Sequence, residues 1–508
     1  CHVLGGMGQV SAEMIRSDPK PDDWLACYRA GDEAGVTGVE RLGEEMLRGK
    51  RGFEERYLDG QLKGCAAPID GLDVQLTIDL SLQRRIEEIL TEAVKGHPPS
   101  TGASCVVIDV ATREVLAMVS VPTFQWSQFQ QDYTALRDDA IHMPLLFRAV
   151  QAEYQPGSIV KPACLLAGFS YNLVNPAETV FCSGQLIPGT DKWHCWTHWR
   201  GMSGHGPMNA EDAIKNSCNV YFYTLGQKVN GERLTRFYRL ALRGQIDDSS
   251  PQLGTGLIEE RSGLIPTREW MKEQRHRGFR QADGRNYAIG QGELSITPLQ
   301  AANLFATLAE GRYRAPTIIA NDCHDRQPVE FKGISEEAWR LTRRGLYRCV
   351  NEEGGTAYKY ARLDSVEICG KTGSAECVPR VVEQRFTFQV DQGAGSGETS
   401  IIAPTIEAAC GMLNLPYGTP CVKSEAVKRY PPTVADNGEG GKVPTHAWFA
   451  GYAPYKNPKI ALAVIIEYGG GGGRTAGPVA QAVFQILQES PQGYLPSARG
   501  RGPAGGQR

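Results

Sequence analysis

An α+β fold is predicted for this 508-residue chain. Three observations carry it. Residues 103–121 read as a β-hairpin: Val106, Ile108 and Val110 alternate, Ala111-Thr112-Arg113 turns, and an apolar run returns from Val115. Residues 446–452 and 459–467 read as two further strands, the first rich in aromatic residues and the second in apolar and β-branched ones. Between and after these strands, apolar residues recur at helical spacing. Composition agrees with a globular protein: 41% hydrophobic and 22% charged. The length allows two or three domains and a large core.

Taken in order, residues 1–71 are polar and irregular with short apolar islands, and read as a surface-exposed β/loop module. Val74, Leu76 and Ile78 alternate, so residues 73–79 are expected to form a strand. Leu82, Ile86, Ile89, Leu90 and Ala93 then give a helical face. After the hairpin, Pro156-Gly157 breaks the chain, and Ala163, Leu165, Leu166 and Ala167 continue as a helix. Residues 171–212 are loop-rich, with Trp193, Trp196, Trp199 and three histidines. Residues 213–225 are expected at a helix or turn. Thr297-Pro298-Leu299-Gln300 opens a helix, with Thr297 as cap, Pro298 in the first turn and Gln300 closing a capping box; Gly311 ends it.

Residues 366–373 read as a strand that carries Lys371 at its end. Residues 377–444 read as an insertion of low hydrophobic periodicity, a mobile lid or partner loop. Its markers are Gly393-Ala394-Gly395-Ser396-Gly397 and Asn437-Gly438-Glu439-Gly440-Gly441. Val479, Val483, Ile486 and Leu487 predict a helix over 476–487. From residue 490 the Gly/Pro/Arg-rich composition predicts disorder.

A net charge of −3 gives no reason to expect a nucleic-acid partner. The longest apolar run, 460–466, is strand length, far short of a membrane span. The chain begins at Cys1 without a signal peptide or anchor, and reads as a fragment lacking its N-terminal portion; a lipidated N-terminal cysteine is the rival reading. Fourteen cysteines are scattered rather than framed, so this is no disulfide miniprotein.

The chemistry centres on Tyr154-Gln155-Pro156-Gly157-Ser158-Ile159-Val160-Lys161-Pro162. Ser158 and Lys161 stand three positions apart at a helix start, on one face. A serine hydroxyl needs a base to become a nucleophile, and a desolvated lysine can be that base. The helix N-terminus adds a positive dipole end where an oxyanion would form. Alone, Ser-x-x-Lys is weak; Ser17-Asp18-Pro19-Lys20 has the same spacing and reads as a plain turn. Two further elements follow in order: Ser217-Cys218-Asn219 and Lys371-Thr372-Gly373-Ser374. Ser-x-x-Lys, Ser-x-Asn and Lys-Thr-Gly together form the penicillin-recognising serine acyltransferase set.

With these motifs, residues 35–489 resemble a class B penicillin-binding protein, a peptidoglycan D,D-transpeptidase. The resemblance is also carried by Arg148-Ala149-Val150, Ala288-Ile289-Gly290-Gln291-Gly292-Glu293, Gly354-Gly355-Thr356-Ala357 and His446-Ala447-Trp448-Phe449-Ala450-Gly451-Tyr452-Ala453-Pro454. Gly204-His205-Gly206 is similar to the elongation, cell-shape subgroup.

The resemblance implies a partial N-terminal pedestal (1–71), a transpeptidase domain (72–489, interrupted by 377–444) and a disordered tail (490–508). The domain would hold a five-stranded antiparallel sheet flanked by helices, plus an all-helical lobe. It implies that Ser158 attacks the D-alanyl-D-alanine carbonyl of a peptidoglycan stem peptide and that Lys161 takes its proton. Ser217 would relay that proton to the leaving amine in the field of Lys371, and Asn219 would hold the donor's amide. Thr372 and Ser374 would bind the terminal carboxylate, with close approach at Gly373, and the Ser158 and Ser374 N–H groups would form the oxyanion hole, worth about 3 kcal/mol per donor. β-Lactams would acylate Ser158. Expected partners are a glycosyltransferase and other elongation-complex membrane proteins, at the periplasmic face of the inner membrane. A β-lactamase or β-lactam sensor shares the motifs but not the module before residue 72; a catalytically silent scaffold would not need them intact.

Cys182, Cys195, His205 and Cys218 offer three thiolates and one imidazole, a set suited to tetrahedral zinc. Their spacings are too long for a knuckle. The resemblance implies metal ligands at these places, some members having carboxylates where Cys182 and Cys195 stand. The alternatives are packed cysteines with a Cys182–Cys195 disulfide, or His194 and His198 as ligands.

Overall fold

A computed structural model describes every residue except 191, 248, 250–253, 322–326, 392–395, 417, 432–443 and 497–508. Its centre is a five-stranded antiparallel sheet. From edge to edge the strands are Cys369–Glu376, Thr445–Ala453, Ile460–Ile466, Ala103–Asp109 and Val115–Val121. Lys371 lies opposite Ala450, Ala450 opposite Ala463, and Ala463 opposite Val106.

Both faces of this sheet are covered. Val106, Ile108, Trp448, Ala450 and Ile465 face a helical lobe. Cys105, Val107, Phe449 and Val464 face helices Leu80–Lys95 and Gly472–Glu489. Double-sided burial explains why 460–466 is an unbroken apolar run rather than an alternating one. The lobe includes Lys161–Ser170, Asn219–Val229, Gly231–Arg243, Pro298–Glu310 and Glu336–Asn351. Pro298–Glu310 carries the expected capping box between Thr297 and Gln300, and it ends at Gly311 with φ +96°.

Several expectations require correction. Residues 73–79 form no ladder. Thr77 N–H donates to Ile318 O while Asp79 N–H donates to Leu116 O, so neighbouring amides serve different partners and only Leu76 bridges, to Ile319. Lys371 lies inside its strand rather than at the end. The last helix begins at Gly472, four residues earlier than apolar spacing indicates. A Cβ at Gly472 would sit 2.1 Å from Gly373 O, so its place is set by close packing that periodicity does not report. Beyond Ser490, Leu495 is buried and Tyr494 OH donates to Asp79 Oδ2. Tyr494 and Leu495 are therefore packed while residues 491–493 stay exposed; the tail from 497 lies outside the described residues.

The insertion is not a loop. Arg380–Asp391 is the central strand between Ser396–Ala403 and Cys421–Tyr430, with helix Ile406–Met412 against them. Phe386, Phe388, Ala403, Ala409 and Cys410 make a separate small core. The alternation Phe386-Thr387-Phe388 carried this signal, masked by the polar residues around it. The glycine run 437–441 and residues 393–395 of the other lie outside the described residues.

In residues 1–71, two ribbons form: Met7–Gln9 with Glu33–Gly35, and Phe53–Arg56 with Leu62–Ala66. The second Ser-x-x-Lys match is structural: buried Asp18 accepts hydrogen bonds from Lys20 N, Tyr28 N and Arg48 Nη2.

Candidate active site

The central motif folds as a 3₁₀ turn, Gly157–Val160, running into the α-helix Lys161–Ser170. In 3₁₀ geometry residues i and i+3 eclipse, which aligns Ser158 with Lys161. Gly157 has φ +57°, and a Cβ there would lie 2.9 Å from Ser374 O, so the turn abuts the Lys371 strand's backbone. Residues 288–293 brace the turn from behind. Gly157 N donates to Gly290 O at 2.9 Å, and Gln155 Nε2 donates to Gly292 O at 2.6 Å. Ser158 is half-buried, and its hydroxyl has no hydrogen-bond partner among the described residues.

Lys161 is fully buried. Its Nζ donates to Ser217 O at 2.8 Å, Asn219 Oδ1 at 2.7 Å and Ser217 Oγ at 3.1 Å. Ser217 sits between helices Ala210–Lys215 and Asn219–Val229 with φ +52°, a left-handed conformation costing a non-glycine residue about 1–3 kcal/mol. That kink aims both its oxygens at Lys161. Asn219 is used at both ends: Oδ1 accepts from Lys161 and Nδ2 donates to His194 O at 3.1 Å. Here the asparagine holds the lysine through Oδ1, and one of the two Nδ2 hydrogens is used on His194 O.

Burial first, and Lys371 second, pull the Lys161 ammonium down to about 7. Burial likewise lowers Lys371 to about 8. Lys371 Nζ donates to Thr372 O at 3.0 Å. Its strand is an edge strand of the sheet, so one row of backbone groups faces the site rather than a neighbour. Ser374 is exposed, and its Oγ accepts from Gly472 N at 3.0 Å. A Cβ at Gly373 would lie 3.0 Å from Pro156 O, Ile159 Cγ2 and Trp448 Cβ, so close approach is met there by the neighbouring chain. Trp448 is wholly buried core, with Nε1 donating to Gln155 O at 3.0 Å.

Sequence reasoning missed Glu467. This buried carboxylate accepts from Arg148, Arg380, Tyr154 OH at 2.8 Å and Thr101 Oγ1 at 2.6 Å. Burial pushes its pKa up, but Arg148 and Arg380 outweigh burial and hold it well below the usual carboxylate range. It joins the first residue of the insertion's central strand to the residue that opens the Ser158 motif. A lone charge at the end of an apolar strand was its only signal.

Cys182, Cys195, His205 and Cys218 converge, their ligand atoms all within 4.8 Å of one another. All three cysteines are free, so the Cys182–Cys195 disulfide is absent. His205 Nδ1 lies 3.6 Å from Cys182 Sγ and 3.5 Å from Cys195 Sγ. Zn–S near 2.3 Å and Zn–N near 2.0 Å in a tetrahedron imply S···N of about 3.5 Å, so the donor set fits zinc. His194 and His198 stand outside this group, their rings against each other with centroids 4.0 Å apart and planes tilted by 32°. Asn219 N donates to Cys195 Sγ at 3.3 Å, which ties the cluster to the residue holding Lys161.

The penicillin binding protein transpeptidase domain model matches residues 103–387 and 433–485. The chain belongs to this family. It is 30% identical to peptidoglycan D,D-transpeptidase MrdA of Haemophilus influenzae, over 97% of this chain and 68% of that protein. Among solved structures it is similar to PBP2 of Helicobacter pylori, in a complex with MreC: TM-score 0.71, 25% identity, 97% of this chain and 78% of that one. A chain from a structure described as a peptidoglycan synthase complex coordinating polymerization and crosslinking matches with TM-score 0.68 and 27% identity, over 95% and 74%. The penicillin-binding fold thus accounts for the sheet and the lobe. The family model leaves residues 388–432 unmatched, within the insertion that carries its own core.

Proposed function

We infer that this chain is a serine-type peptidoglycan D,D-transpeptidase of cell wall elongation and cell shape, covalently inhibited by β-lactams. The observation that carries the reading is the hydrogen-bonded group Lys161, Ser217 and Asn219 one helical turn from Ser158. Neutral Lys161 accepts the Ser158 proton as Oγ attacks the carbonyl between the two terminal D-alanines. A neutral amine keeps two N–H groups, which suit Ser217 O and Asn219 Oδ1, and one lone pair for the incoming proton. The longest of its three bonds, to Ser217 Oγ, is the natural outlet toward the leaving amine. D-Alanine departs with that proton, leaving a stem peptide esterified to Ser158. The amine of a second stem then attacks the ester, forming the crosslink; its proton passes by way of neutral Lys161 to Ser158 Oγ, which leaves as the free hydroxyl. Thr372 and Ser374 take the terminal carboxylate, Lys371 supplies positive field, and the Ser158 and Ser374 N–H groups stabilise the oxyanion. No cofactor enters the acyl transfer.

Intact-protein mass after treatment with labelled penicillin tests this. A single, slowly released adduct is expected; rapid turnover without an adduct would indicate a lactamase, and no reaction a silent scaffold.

The acylation rate should be bell-shaped in pH. Lys161 must lose its proton to act as base, so the rate rises with pH through about 7. Lys371 supplies its field only while charged, so the rate falls as pH passes about 8. A rate that falls from pH 6 to 7.5 would reverse the assignment of Lys161 as base.

For the Cys182, Cys195, His205 and Cys218 set we propose structural zinc. Three thiolates favour zinc over harder cations, and the metal would hold the segment after residue 171 against the catalytic lobe. Metal analysis should find about one equivalent of zinc. Cys218→Ser should lose both the metal and thermal stability; full stability without metal would refute the site.

The chain is proposed to divide into a pedestal (1–71) and a transpeptidase domain (72–489) holding the insertion (377–444). Its stem-peptide substrate argues for work on the periplasmic side. Among the described residues, no helix is long and apolar enough to cross a membrane. The relatives captured with MreC and in a synthase complex support elongation-complex partners, a glycosyltransferase among them.

A further inference from the structure

Thr356 belongs to none of the three motifs, yet its hydroxyl lies 2.9 Å from the hydroxyl of Thr372. On its other side it lies 3.3 Å from the Cys349 thiol, which is fully buried. Thr356 is pinned from two further directions. Its N–H donates to Lys215 O at 3.3 Å, just before Ser217, and its carbonyl would touch a Cβ on Gly473 at 2.8 Å. The hydroxyl pair is therefore held by three separate segments rather than by chance proximity.

The chain Cys349, Thr356, Thr372 can be hydrogen-bonded in either direction, and the two directions differ in what they leave for a substrate. Each hydroxyl donates once. If Thr372 donates to Thr356, its proton is spent and an incoming carboxylate, which only accepts, meets oxygen lone pairs. If Cys349 donates to Thr356 and Thr356 donates to Thr372, the Thr372 proton is free to point into the site. A thiol is a poor acceptor, so the first direction also ends on a weak bond. A bound carboxylate favours the second direction on both counts.

We propose that Thr356 is a positioning residue for carboxylate recognition: it donates to Thr372 Oγ1 and so turns the Thr372 hydroxyl proton toward the substrate's terminal carboxylate. This rests on the reading of Thr372 as a carboxylate ligand, and adds a residue that never touches substrate.

The test compares second-order acylation by a penicillin and by its methyl ester, which lacks the anionic acceptor. Thr356→Val should slow acylation by the acid at least about tenfold, the lower end of the scale for one hydrogen bond to a charged group. It should leave the ester rate unchanged, and Thr356→Ser should restore the acid rate. In a Thr372→Val background, Thr356→Val should add no further loss. An unchanged acid rate in Thr356→Val, an equal fall for acid and ester, or full additivity with Thr372→Val would each overturn the proposal. If Thr356→Val does not fold, Thr356→Ala makes the same comparisons without added bulk beside Gly473. If Thr372→Val alone leaves the acid rate intact, the carboxylate reading of Thr372 itself fails, and the proposal with it.

Discussion

Replacing Ser158 with Ala should abolish penicillin labelling, and replacing Lys161 with Met should slow it by about 10²–10⁴-fold, the range for loss of a positioned general base. The two results differ because the two groups do different things. In the proposed mechanism Ser158 supplies the atom that becomes covalently bonded, and its hydroxyl has no protein partner competing for it among the described residues. Lys161 only moves a proton, so some reaction survives through water. The lysine variant also removes the anchor of Ser217 and Asn219, which converge on its Nζ. Its loss should therefore be strongly non-additive with Ser217→Ala and Asn219→Ala. Kinetics of fluorescent-penicillin labelling read all of this. Persistent labelling of Ser158→Ala would move the nucleophile elsewhere.

Glu467→Gln should lower stability by about 3–5 kcal/mol, the cost of breaking a buried ion pair from one side. Glutamine keeps the shape but only one accepting oxygen, whereas Tyr154 OH donates to Oε1 and Thr101 Oγ1 to Oε2, so the charge and one of these two bonds are lost together. Arg148 is wholly buried and Arg380 largely so, and both would keep positive charge with no anion beside them. The sign in pH follows from the depressed carboxyl pKa. The stabilisation is full above the unfolded carboxyl value of about 4.3 and is lost as pH falls below it toward the folded value. Urea denaturation of both proteins at pH 7 and at lower pH measures this. The gap between them should narrow on acidification; a gap of the same size at every pH would assign the effect to packing.

What was legible in the sequence was local. Ser158 and Lys161 are three residues apart, and one turn of 3₁₀ helix puts them on one face whatever surrounds them. Thr297 and Gln300 cap a helix through bonds three residues long. The strands at 103–121 and 445–466 announced themselves by apolar content, because a doubly covered sheet needs nothing else. Motif order then named the family.

Tertiary structure alone decided the contacts between distant segments. Lys161 reaches Ser217 across 56 positions, and spacing could not say that Asn219 would grip that lysine from one end and His194 O from the other. The four metal-type ligands were nameable as residue types, but their convergence depends on a two-stranded ribbon, Val180–Cys182 with Gly206–Met208, bringing Cys182 beside His205. The insertion's small core was hidden because a few apolar residues suffice when a sheet is covered on one face by a single short helix. Glu467 was hidden for the opposite reason. A charge is expected in water, and only the arginines folded around it, from more than 80 residues away in either case, make its burial favourable. Periodicity records which face of an element is buried; it carries no record of what the partner across the core will be.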